Sequence, residues 1–84
     1  MYKAQISVSL RRSILDPQGK ATHNALSQLG FDGIDQVRIG KLIEMKISAD
    51  SKDDAESMAR RACEKLLANP VTEDFEVEII SESP

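Results

Sequence analysis

Apolar and polar residues alternate strictly through the first segment of the chain. Tyr2, Ala4, Ile6, Val8 and Leu10 interleave with Lys3, Gln5, Ser7, Ser9 and Arg11. This period-two pattern predicts a strand with one buried and one wet face. Leu15-Asp16-Pro17 then marks a helix start: Asp16 is suited to the N-cap and Pro17 to the first helical position, where a missing N–H costs nothing. Ala21, Ala25, Leu26 and Leu29 follow at helical spacing, and Gly30 is placed to end the helix in the left-handed conformation, so a helix is expected over 17–29.

In the next segment Val37, Ile39, Ile43, Met45 and Ile47 all hold odd positions, with Lys41 the one polar exception, while Gln36, Arg38, Glu44 and Lys46 hold even ones. Two readings compete. A two-residue turn at Gly40-Lys41 gives a hairpin, but it pairs Val37 with Glu44 and so puts a carboxylate on the apolar face. One continuous strand bent at Gly40 keeps the parity intact, and register favours it.

Asp50 is expected to cap a second helix, with Asp53 and Asp54 in its first turn, where the helix dipole favours anions. Ala55, Met58, Ala59, Ala62, Cys63, Leu66 and Leu67 form its stripe, and Asn69-Pro70 ends it. Phe75, Val77 and Ile79 alternate with Asp74, Glu76 and Glu78 in a last strand, and 81–84 reads as a frayed tail.

The order strand, helix, long strand, helix, strand is α+β. It is a ferredoxin-like βαβ(β)αβ pattern, with two helices expected on one face of an antiparallel sheet. Thirteen residues from Gln36 to Ser48 at about 3.3 Å each span roughly 43 Å. A compact chain of this length is only about 30 Å across. The long strand is therefore expected to project and to pair with a second copy, extending the sheet through a homodimer or a dimer of dimers.

The 84 residues allow one domain, 1–84, whose small core leaves it marginally stable alone. Aromatics are scarce, and the net charge of −3 offers no basic footprint for nucleic acid. The N-terminus lacks the apolar stretch of a secretory signal. No apolar run approaches the about 20 residues that span a bilayer, so a cytoplasmic protein with no membrane partner is expected.

Catalytic groups are hard to assemble from this sequence. Cys63 is the single cysteine, which excludes an internal disulfide and a cysteine metal cage. It falls in the apolar stripe, where it reads as a small core residue. His23, the one histidine, cannot alone build a metal site or complete a triad, and reads as a half-exposed surface residue. The carboxylates are spread over helix starts and a wet strand face. No glycine-rich phosphate loop occurs, since Gly19 and Gly40 stand alone. Arg11 and Arg12 could meet an anion or simply be solvated. Arg38 and Lys41, flanking Ile39-Gly40, suit either a solvated face with a bend or contact with a larger acidic partner.

Ser9-Leu10, Ile14-Leu15-Asp16-Pro17-Gln18-Gly19-Lys20-Ala21, Val37-Arg38-Ile39-Gly40-Lys41, Cys63-Glu64-Lys65-Leu66-Leu67-Ala68-Asn69-Pro70-Val71 and Glu73-Asp74-Phe75 together resemble the PurS subunit family of phosphoribosylformylglycinamidine synthase. The likeness runs in order along nearly the whole chain.

The resemblance implies a small non-catalytic subunit of an ATP-dependent, glutamine-using C–N ligase in de novo purine biosynthesis. That enzyme converts formylglycinamide ribonucleotide, glutamine and ATP to formylglycinamidine ribonucleotide, glutamate, ADP and phosphate. A large synthase subunit uses the ATP and Mg, a glutaminase subunit releases ammonia, and the small subunit assembles and couples them. No cofactor or metal is then expected on this chain. The surface residues expected to meet these partners are Asp16, Pro17, Gln18, Gly19, Arg38, Lys41, Asn69 and Pro70. Two rival readings are a ferredoxin-like sensing domain that binds a metabolite at a dimer interface, and an acylphosphatase-type hydrolase using Arg11 or Arg12. The second lacks the glycine-rich cradle such a hydrolase needs.

Overall fold

The computed structural model describes residues 1–81. The expectation for 82–84 lies outside the described residues, and Ser81 belongs to the last strand rather than to a tail. The chain runs β1 (Tyr2–Leu10), α1 (Pro17–Gln28), β2 (Lys41–Ile47), α2 (Lys52–Ala62), a π-helical turn (Cys63–Leu67) and β3 (Glu73–Ser81). The sheet order is β2-β1-β3, with both outer strands antiparallel to β1.

Alternation along β1 sets the register of everything else. Ala4 lies between Met45 and Ile79, and Ile6 between Ile43 and Val77, so the apolar residues of three strands share one face. Ala4, Ile6, Val8, Ile47 and Ile79 are buried there. The opposite face is wet: Gln5 lies between Glu44 and Glu78, and Lys3 pairs with Glu44 at 3.5 Å.

Helix α2 covers the apolar face with Ala55, Ala59 and Cys63, all fully buried. Residues four apart lie on one helix face, and small ones let the helix approach the sheet closely. Ser51, not Asp50, is its N-cap, accepting the Asp54 N–H at 3.1 Å, while Asp53 and Asp54 occupy the first turn as expected. The helix widens at its end, where Ala68 N–H donates to the Cys63 carbonyl at 3.0 Å. That wide turn places Leu66 in solvent at 83 % exposure, and Met58 is 44 % exposed, so neither belongs to the buried stripe.

Asn69 does not take the left-handed cap conformation, because Gly30 alone among the described residues has a positive φ, at 96°. Asn69 instead makes an Asx turn, its side-chain oxygen accepting from Val71 N–H at 2.9 Å.

The long strand is corrected. Within the chain only Lys41–Ile47 is strand, spanning roughly 23 Å at about 3.3 Å per residue, and no regular element covers 34–40. The hairpin fails too, since Gly40 lacks the positive φ that its primed turn requires. The ladder stops at Val8↔Lys41 because side chains take the next backbone groups. Ile39 N–H donates to the Asp16 carboxylate, and Arg38 donates to the Leu10 and Arg11 carbonyls.

Helix α1 starts at Asp16 and ends before Gly30 as expected, yet it makes no extensive contact with any strand, and Gly19 is its sole buried residue. The body measures 50 × 30 × 14 Å with a radius of gyration of 16.4 Å, where compact packing of this length gives about 12 Å.

Gly40 marks where β2 meets β1, and a Cβ there would run into the Val8 carbonyl oxygen, whereas one at Gly33 would meet open space. Gly40→Ala is expected to cost about 1–3 kcal/mol in urea unfolding. Gly33→Ala should change stability by no more than about 0.5 kcal/mol.

Candidate functional site

The C-terminal end of β1, the N-terminal ends of β2 and β3, and the start of α1 converge at one end of the sheet. Asp16 joins them. The chain from Leu10 to Pro17 returns this residue toward the sheet, where it is 8 % exposed. Its Oδ1 accepts the Gly19 N–H at 2.9 Å, the expected cap, and its Oδ2 accepts the Ile39 N–H at 2.8 Å. One carboxylate thus fastens a helix start to a segment twenty-odd residues away.

Arg38 closes the clamp from the other side, its Nη2 donating to the carbonyls of Leu10 at 3.0 Å and Arg11 at 2.9 Å. Gly19 is required by this approach, because a Cβ there would overlap the Val37 carbonyl oxygen. The two backbone N–H groups, Gly19 foremost, and the Arg38 charge hold the Asp16 carboxyl below its ordinary value, against the opposing effect of burial.

Six of the eight expected contact residues gather here: Asp16, Pro17, Gln18, Gly19, Arg38 and Lys41. A cleft of about 410 Å³ between Leu10, Pro17, Ile39, Lys41 and Glu73 opens beside them. Asn69 and Pro70 belong to the loop before β3, and Arg11 and Glu73 tie that loop to this end. Arg11 Nη2 donates to the Pro70 carbonyl at 2.7 Å and its Nε meets Asp74 at 3.4 Å. Glu73 Oε1 accepts the Asn69 N–H at 2.7 Å. The signal for Arg11 was its place directly after the strand, where solvation is the commoner fate.

The two nucleophile and base candidates stay apart. Burial pushes the Cys63 thiol above its ordinary value, so it stays protonated in the core. His23 donates Nε2–H to the Ile34 carbonyl at 2.7 Å and lines a different cleft from Cys63. Among the described residues no three His, Cys, Asp or Glu side chains group to hold a metal ion. The arrangement presents fixed charges and a shaped rim, which suits recognition rather than bond-making.

Comparison with known proteins follows the same line. The family model PurS, described as phosphoribosylformylglycinamidine (FGAM) synthase, matches residues 3–81. The phosphoribosylformylglycinamidine synthase subunit PurS of Bacillus subtilis (strain 168) is 43% identical over 79 residues, 94% of this chain and 93% of that protein. The crystal structure of Methanocaldococcus jannaschii PurS superposes with a TM-score of 0.90 at 32% identity, covering 99% of this chain and all of the other. A chain of the PurLQS structure from Thermotoga maritima gives 0.87 at 33% identity, covering 94% of this chain and 96% of that one.

Asp16 is held ionised in the fold below its ordinary value of 3.8. Its contribution is therefore complete above that pH and is lost as pH falls through the lowered value. Asp16→Ala is expected to lower the melting temperature at pH 7 by roughly 4–8 °C, the response of a small domain to one lost cap. The variant should also show a shallower acid limb below pH 3.8 in melting curves followed by circular dichroism.

Proposed function

The chain belongs to the PurS family of phosphoribosylformylglycinamidine synthase, and from that membership we propose how it serves the enzyme. It is a small subunit of this ligase in purine biosynthesis and carries no catalytic group. Its partners are the large synthase subunit and the glutaminase, the L and Q components with which its relative stands in the T. maritima structure. That complex is the observation that carries the reading. ATP and Mg²⁺ are used by the large subunit and not by this chain, and the enzyme works in the cytoplasm. No helix among the described residues is long and apolar enough to cross a membrane.

The chain acts as one domain over 1–84 and as a homodimer, or a pair of dimers. Its accessible surface is 6182 Å², where about 5,000 Å² is usual for this mass. The excess of roughly 1,200 Å² is what one protomer of a permanent dimer covers. Leu29 at the C-cap of α1, 73 % exposed, and Phe31 beyond it, 53 % exposed, belong to the uncovered surface. In the ferredoxin-like pattern a fourth strand stands outside β2. Residues 34–39, which find no strand partner among the described residues, supply that strand to a second copy.

A doubled, rigid body offers the same end of the sheet twice and brackets two larger subunits. Ammonia released by the glutaminase would be protonated and diluted in bulk water. Docking the two active centres around this bracket keeps it from solvent. The Asp16–Arg38 end, with Lys41, Asn69 and Pro70, is the contact surface.

Omitting the chain from the reconstituted enzyme should abolish glutamine-dependent turnover while turnover on added ammonium salt persists. Equal glutamine-dependent rates with and without it would defeat the assembly role. Sedimentation at micromolar concentration should give a dimer or larger, and a stable monomer would count against the pairing.

A further inference from the structure

The start of α1 bounds a second cleft, of about 460 Å³, which shares Asp16 and Arg38 with the contact surface and extends beyond it to Arg12, Lys20 and His23. This volume falls in the range of small-molecule sites, about 300–1,000 Å³. Three full cations line it, Arg12, Lys20 and Arg38, in a chain whose net charge is −3. Neither Arg12 nor Lys20 is in an ion pair among the described residues.

Of the two carboxylates in the lining, Asp16 accepts from the Gly19 and Ile39 N–H groups and Asp35 is the other, so the three cations outnumber the anions by one. One donor group is fixed in place before any ligand arrives. The Arg38 guanidinium is anchored through Nη2 on two carbonyls, so its Nη1 and Nε stay available. The His23 ring is locked by Nε2–H on the Ile34 carbonyl. Ile14, Leu15 and Val37 add an apolar wall.

We propose that this cleft binds a small organic phosphate monoester, its phosphate held by Arg12, Lys20 and Arg38 and its organic part against Ile14, Leu15 and Val37. A compact dianion suits convergent cations, since charge-assisted hydrogen bonds to phosphate are among the strong ones, and an arginine offers paired donors. The apolar wall distinguishes an organic phosphate from the bare ion. The site is built within one chain and shares Arg38 with the proposed contact surface, while Arg12 and Lys20 belong to the cleft alone. Strand pairing of 34–39 with a second copy uses backbone groups and is compatible with it.

Ribose 5-phosphate, titrated into the protein in its native oligomeric state and followed by amide NMR, tests this. Saturable shifts are expected at Ser13–Asp16 and Val37–Arg38, with weaker binding of inorganic phosphate and none of ribose. Arg12→Gln with Lys20→Gln, both at exposed positions, should weaken binding by about tenfold or more without altering the melting temperature. No saturation in the millimolar range overturns the proposal, as does undiminished binding by the double variant. Equal affinity for inorganic phosphate removes the organic part. A hexaglutamate peptide that shifts the same amides and is not displaced by ribose 5-phosphate would assign the cleft to an acidic protein segment instead.

Discussion

The structure depends on two side chains that take over from a β-ladder. Where β1 and β2 could have continued past Val8 and Lys41, the Asp16 carboxylate accepts the Ile39 N–H and the Arg38 guanidinium donates to the Leu10 and Arg11 carbonyls. Backbone groups that are partly buried must find partners. Here the partners are charged side chains, so the hydrogen bonds are strong ones and the chain leaves the sheet at a defined place. The same carboxylate caps α1, and helix start, loop and strand start are thereby fixed to one another.

That arrangement leaves the protomer incomplete. The sheet is covered on one face by α2 alone, through small residues that permit close approach. Helix α1 stands out from the sheet with Ala21 and Ala25 exposed and Leu26 only half-buried. A body with a radius of gyration of 16.4 Å buries too little of itself to be comfortable alone, because conformational entropy must be offset by covered apolar surface. Assembly is then a structural requirement as much as a functional one, and a non-catalytic subunit whose task is to hold others together follows from it. Cys63 is sealed in the core and His23 is occupied with a backbone carbonyl, so the two stay apart.

Much of the candidate site was legible residue by residue. Asp16 and Pro17 could be read from capping rules, and Arg38 and Lys41 from the charges flanking a glycine. Their convergence was not legible, because it depends on a loop of six residues between β1 and α1 returning Asp16 to the sheet. Arg11 was left between an anion contact and plain solvation, and Glu73 was given no role, for a related reason. An arginine after a strand and a glutamate before one look solvated until the 69–73 turn is seen beside them, with Pro70 and Asn69 offering backbone partners. Ser51 displaced Asp50 as the cap of α2 by a shift of one residue, a difference that hydroxyl and carboxylate propensities are too close to decide.

Local pattern determined the strands β1 and β3, the start of α1, the parity of residues 37–47 and the burial of Cys63, because each depends on neighbours within a few positions. Three things awaited the tertiary structure. One was the end of β2 at Lys41, because an extended segment is strand only where another segment offers it hydrogen bonds, and side chains had taken those. Another was the exposure of Leu66, because a π turn rotates the helix surface by an amount no apolar pattern encodes. The last was the exposure of α1, because a helical stripe says that a face wants cover but not which chain provides it.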